Sequence, residues 1–170
     1  MTELASNWTL LVYKIPSQPT RLRLQIWRKL QAMGALYLQN AVCLLPARPD
    51  LDENLHYVTQ MIEETGGTCY LFSASALLPG SDARLIGEFQ AIADDKIAEI
   101  VQRLEAIQTR LEAAATPSDL ERVEGDLKRE RISYLRARRQ AYFGSTREAE
   151  ADKRLDALKR ALDDLYRTGK

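Results

Sequence analysis

The 170-residue sequence has the size of one ordinary domain, or of a small domain with a helical appendage, which excludes a large multidomain machine. Apolar residues make up 45% and charged residues 28%, close to the globular average, so collagen-like, disulfide-scaffold and wholly disordered classes are excluded as well. With 24 Lys+Arg against 24 Asp+Glu, no global field draws the chain onto nucleic acid or an anionic membrane, and any polyanion must be bound by a local patch.

At the N-terminus, Met1 to Ser6 carries Glu3 and lacks the basic start of a signal peptide. No apolar run approaches the roughly 18 to 20 residues of a membrane span. A cytoplasmic location without a membrane partner is expected. Trp8 to Ile15 (WTLLVYKI) is apolar on both alternating sets, the pattern of a central strand, and Pro16 ends it. Ser17 to Thr20 offers capping hydroxyls around Pro19. Leu22, Ile26, Leu30 and Met33 then recur at spacings of four, four and three, the stripe of a helix lying on a sheet, closed by Gly34 as a left-handed residue. Ala35 to Gln39 and Ala41 to Pro46 read as a hairpin around Gln39-Asn40, where Asn tolerates positive φ. Asp50 to Thr65 predicts a second helix through Leu51, Leu55, Val58 and Ile62, stopped by Gly66-Gly67. Thr68 to Ser73 supplies a fourth strand. Aromatic and thiol residues here (Trp8, Tyr13, Tyr37, Cys43, Cys69, Tyr70, Phe72) mark short buried strands.

The order βαββαβ predicts an α+β fold: a ferredoxin-like plait over residues 1–79, an antiparallel sheet of order 4-1-3-2 with both helices on one face. Cys43 and Cys69 then fall on strands separated by the first, about 9 to 10 Å apart, beyond the disulfide limit of about 7 Å. Both read as reduced thiols. Residues 80–170 form a helical arm of three helices. The first, Ala83 to about Ala115, is capped by Ser81-Asp82 and carries a seam from Phe89 and Ile92 to Leu111. Thr116 to Asp119 is a break and restart with Pro117 in the first turn and Ser or Asp as cap. The second helix runs through Leu120, Val123, Leu127 and Leu135 to Tyr142, and Gly144-Ser145 ends it. The third carries Leu155, Leu158, Leu162 and Leu165, a seam that closes within the chain or between two copies.

Two basic surfaces stand out. Arg21 and Arg28 are seven apart, opposite the Leu22-Ile26-Leu30 stripe, with Lys29 to one side; they can contact phosphates or be a solvated outer face. Arg23 and Trp27, four apart, can stack guanidinium on indole. The stronger run is Lys128 to Arg139 (KRERISYLRARR), with Lys128, Arg129, Arg131, Arg136, Arg138 and Arg139 against Glu130 alone. Tyr134, Tyr142 and Phe143 lie nearby, and arginine with aromatics can neutralise phosphates and stack on bases. The competing reading pairs these arginines with acids of the adjacent helix such as Glu105 and Glu112. No helix-turn-helix spacing surrounds the run. RNA readout by stacking on central strands is excluded, because Ala41 to Pro46 has no aromatic residue.

No catalytic constellation is visible: no phosphate loop, nucleophile elbow or zinc spacing. His56 has Asp52 four residues before it, a surface pair or cap. Asp94-Asp95 and Asp163-Asp164 splay about 100° apart and are poor chelators. No metal, cofactor or enzymatic activity is expected.

The segment from Trp8 to Pro46 resembles the N-terminal domain of the ChrB family, bacterial regulators associated with chromate resistance. The resemblance rests on the Trp8 to Lys14 strand, Pro16, the Arg23, Trp27, Arg28 and Leu30 helix pattern, Gly34-Ala35 and Leu44-Leu45-Pro46. It covers about residues 7–80, with the following helix as a weaker continuation. It implies a cytoplasmic, non-enzymatic regulator that binds promoter DNA, hence double-stranded DNA, and responds to chromate; a homodimer is expected besides. Typical members continue into a separate C-terminal domain, for which no counterpart is expected here, so the resemblance carries DNA binding over rather than chromate as effector. At fold level the family is similar to PaaX-type repressors and small CRISPR-associated nucleases. The nucleases place an acidic metal ligand at the end of the first strand, where this sequence has Tyr13-Lys14-Ile15-Pro16, and the lysine would repel a cation. The other function class is an interaction or oligomerisation module that does not bind DNA.

Overall fold

The structure, a computed structural model, describes residues 8–17 and 20–168. The expectation for Met1 to Ser6 lies outside the described residues, as does the part of the first-helix cap at Gln18-Pro19. In chain order the elements are β1 (Trp8–Lys14), α1 (Thr20–Ala32), β2 (Leu36–Gln39), β3 (Val42–Pro46), α2 (Pro49–Glu64), β4 (Thr68–Ala74), α3 (Ser81–Glu112), α4 (Pro117–Gln140) and α5 (Glu148–Thr168). The sheet is antiparallel throughout with order β2-β3-β1-β4, so the α+β plait followed by helices is the fold. Two compact units divide between Glu88 and Phe89. No helix among the described residues is long and apolar enough to cross a membrane.

In the first unit, β1 lies between β3 and β4, which is why both of its alternating sets are apolar. Ile26 and Leu30 of α1 and Leu51, Leu55, Val58 and Ile62 of α2 are buried, the stripes their spacing predicts. Leu11 pairs with Cys43 and Tyr13 with Cys69, so the two thiols sit on either side of β1, and both are free. Burial pushes the Cys43 thiol up to about 12, which keeps it protonated and unreactive. Cys69 Sγ points at the Thr59 carbonyl of α2 at 3.7 Å, and this sheet row therefore faces the helix. Gly67 marks the closest approach: a Cβ there would stand 2.5 Å from the Lys14 carbonyl oxygen and 2.9 Å from that of Ile62. Trp8 is buried, and its Nε1 donates to Asp82 Oδ1 at 2.7 Å, fastening β1 to the first turn of α3.

Two expectations change in this unit. The hairpin's left-handed residue is Ala41 (φ 60), not Asn40, because a register shift between Tyr37 and Gln39 moves the turn by one position. Tyr70 and Phe72 are not buried. They alternate with Cys69 and so leave the face away from α2; β4 is a sheet edge, and the rings remain 61% and 50% exposed, stacked with centroids 6.3 Å apart.

The second unit is a three-helix core. Ile97, Ile100, Val101, Leu104, Ile107 and Leu111 of α3 pack with Leu120, Val123 and Leu127 of α4 and with Ala151, Leu158 and Leu162 of α5. The α5 leucine seam thus closes within one chain. On α4 the inward position is Tyr134 rather than Leu135: a helix turns 3.6 residues, so the stripe 120, 123, 127 continues at 134 and 137. Leu135 is 48% exposed. The α4 cap is Thr116, neither Ser118 nor Asp119. Thr116 Oγ1 accepts from the Asp119 amide at 3.2 Å, and Asp119 Oδ2 accepts from the Thr116 amide at 3.0 Å, a complete capping box behind Pro117. Before α5, Asp94 of α3 accepts from Ser145 Oγ, the Thr146 amide and Thr146 Oγ1. The Ser145 hydroxyl first, then Thr146, holds its carboxyl below the usual range.

Candidate nucleic-acid interface

The α4 helix owes its basic surface to sequence and its geometry to partners. Lys128 is tied to Glu124, one turn earlier, at 2.5 Å, and Arg129 to Asp126. The Glu124 carboxylate raises the Lys128 ammonium above its usual value and is itself lowered, first by Lys128 and then by the Tyr166 hydroxyl. Arg138 Nε reaches Glu148 of α5 at 3.5 Å. Three of the six cations are therefore compensated by carboxylates. The pairing across helices differs from the expected one. Glu105 binds Arg154 of α5 at 2.7 Å, and Glu112 is met by Gln108. Between α3 and α4 the polarity is reversed: Arg103 and Arg110 of α3 hold Glu130 and Asp126 of α4.

Arg131, Arg136 and Arg139 are exposed and take part in none of the ion pairs among the described residues. At about 100° per residue, Arg139 falls between the other two, in an arc about 140° wide. Ile132 and Leu135, 59% and 48% exposed, occupy the same arc. Arg131 also borders a cleft of about 360 Å³ between α4 and α5, where it, Lys128, Arg138 and Lys159 face Glu124, Asp152, Asp156 and Asp163. That cleft offers an anion no net attraction.

The expected aromatic partners are used elsewhere. Tyr134 is 2% exposed, and its hydroxyl donates to the Glu148 carbonyl at 3.3 Å. Burial and then Asp152 push its phenol up to about 12. Tyr142 and Phe143 pack on Phe89, with centroids 6.4 and 5.5 Å away. None of these rings is presented for base stacking, because the bundle core needs them.

On α1, Arg21 and Arg28 are exposed. Lys29 stands over the Tyr57 ring of α2, 4.5 Å from its centroid, a cation–π contact that the proposed Arg23–Trp27 stack does not make among the described residues. His56 Nδ1 donates to the Asp52 carbonyl at 2.7 Å, so it serves the helix backbone. Among the described residues no group of three or more His, Cys, Asp or Glu is placed to hold a metal ion. Sequence reasoning did not find the Arg103–Glu130 and Arg110–Asp126 bridges, which have no signal in local spacing. The Glu124–Lys128 pair, at i and i+4, does have one.

The chain is 29% identical over 87 residues to Protein ChrB of Cupriavidus metallidurans, a stretch that covers 51% of this chain and 26% of that protein. The chain thus spans about a quarter of the length of this curated relative. The family model described as Protein ChrB, N-terminal, matches residues 23–168. The match runs through α3, α4 and α5, which makes the helical unit part of the family's shared sequence rather than a weak continuation of the plait. On that extent of agreement, the chain belongs to the ChrB N-terminal family.

Proposed function

We propose that this chain is a non-enzymatic regulatory protein that binds double-stranded DNA as a homodimer in a response linked to chromate resistance. The observation that carries the reading is the trio Arg131, Arg136 and Arg139, exposed on one face of a 24-residue helix and in no ion pair among the described residues. A phosphate gains most from a cation that no carboxylate already neutralises, and each phosphate neutralised steepens the salt dependence by about 0.9 in log K per log salt. An electrophoretic shift with the upstream region of its own operon, at two salt concentrations, tests it. Replacing the trio by Glu is expected to abolish the shift at moderate salt, and replacing it by Gln to flatten the salt slope by about 2.7 per chain. No shift of the unaltered protein at low salt removes the DNA reading. A shift that survives the Glu triple moves the contact to Arg21 and Arg28.

Dimerisation is supported by β4, which pairs on one side only among the described residues and carries no charge in TCYLFSA. Such an edge accepts a further antiparallel strand. Phe72→Lys is then expected to leave a monomer in light scattering. The second reading, a protein-interaction module, is favoured by Ile132 and Leu135 within the arginine face, since phosphates have no use for them. Under that reading Ile132→Asp abolishes partner capture while the DNA shift is absent from the start.

A further inference from the structure

We propose that the cleft between α1 and the hairpin end of the sheet binds a small anion carrying a planar ring, of about mononucleotide size. The cleft is open to solvent and holds about 920 Å³, within the range of small-molecule sites. One wall is α1, presenting Arg23, Leu24 and Trp27; the other is the end of β1 with Tyr13 and Lys14, and Tyr37 of β2. Its charge is one-sided. Lys14 and Arg23 are exposed, and no carboxylate lines the cleft among the described residues. The described acidic residues of the first unit lie on α2 (Asp50, Asp52, Glu53, Glu63, Glu64) and α3 (Asp82, Glu88). The first turn of α1, which opens onto the cleft at Thr20, also has no acidic residue.

The wall chemistry selects more than charge. Trp27 is 48% exposed and Leu24 42%, a costly display on a helix otherwise packed by its apolar stripe, and an indole face offers a stacking surface to a ring. Tyr13 and Tyr37 meet hydroxyl to hydroxyl at 3.1 Å, so one proton is used between them and the other is available to an acceptor. Both phenols are raised, by burial first, and stay protonated as donors; Arg23 lines the same cleft as Tyr13 and Tyr37. Cation, donor and ring surface thus converge. The inference rests on the regulator reading only in making the ligand an effector; the binding itself is independent of DNA.

The test uses the full chain without DNA. Excited at the red edge of the indole band, Trp27 is the exposed reporter, because Trp8 is 1% exposed. Adenosine 5′-monophosphate and 1-naphthoate are titrated, with adenosine supplying a ring without charge and inorganic phosphate a charge without ring. Quenching by either ring anion, with both controls at least tenfold weaker, is expected; which of the two binds tells a nucleotide from an aryl acid. Arg23→Glu is expected to weaken binding more than tenfold, about 1.4 kcal/mol, while far-UV circular dichroism stays unchanged. Calorimetry on Trp27→Leu separates lost signal from lost binding. No saturable quenching or heat up to about 1 mM, phosphate binding as well as the ring anions, or indifference to both Arg23→Glu and Lys14→Glu overturns the proposal. Failure of the DNA shift leaves it standing, and its failure leaves the DNA shift untouched.

Discussion

The two units solve the problem of charge in opposite ways. The plait holds few ionisable groups and leaves its α1 cations and Lys14 in solvent, with a core made by interleaved aliphatic side chains and long-range bonds from Trp8 to Asp82 and between Tyr13 and Tyr37. The helical unit is dense in charge and ties part of it up between helices, through Arg103–Glu130, Arg110–Asp126, Arg154–Glu105 and Arg138–Glu148. A count of positive residues therefore overstates the second unit as a polyanion surface and understates the first. What binds an anion is the cation left over after pairing.

Four changes break or sharpen that contrast. Trp8→Ala removes a buried ring and orphans Asp82, at a cost of about 3 to 5 kcal/mol. Thermal unfolding followed by circular dichroism should then show the plait lost first and a helical transition remaining; one unchanged transition contradicts the division into units. Leu158→Ala, a cavity in the α5 seam, is expected to cost about 2 to 5 kcal/mol in the helical transition alone. Asp94→Ala strips three hydrogen bonds from the α4–α5 connection, about 1 to 2 kcal/mol. Because the folded Asp94 carboxyl is depressed, its contribution is complete above the unfolded value of about 3.9 and is lost as pH falls towards the folded one. The difference between Asp94→Asn and the parent should therefore shrink below about pH 4, and a gap constant with pH would refute the assignment. Smallest is Arg103→Gln: its side chain is 48% exposed, and loss of the Glu130 bridge is worth about 0.5 kcal/mol, a shift of about 2 to 4 °C in the melting temperature of the helical transition.

Local pattern determined the elements. WTLLVYKI reads as a central strand because both faces are apolar, Gly34 as a left-handed stop because it lacks a Cβ, and it has φ 72. The sheet order follows from βαββαβ alone, since right-handed crossovers leave little choice. The cationic run on α4 was equally legible. Which of its members remain free was not: Arg138 and Arg131 differ only in whether a carboxylate of another helix comes within reach, and that is set by how α3, α4 and α5 pack. Tyr134 against Leu135 was decided by helical phase over two turns, and the exposure of Tyr70 and Phe72 by their place on the face of β4 turned away from α2. The cleft around Trp27 is the clearest case, for its walls are contributed by α1, β1 and β2, and no local spacing announces that Lys14 and Arg23 share one space without a carboxylate among the described residues. Periodicity is a property of neighbours along the chain and can be read there; charge compensation and concavity are properties of neighbours in space, and only tertiary structure assigns those.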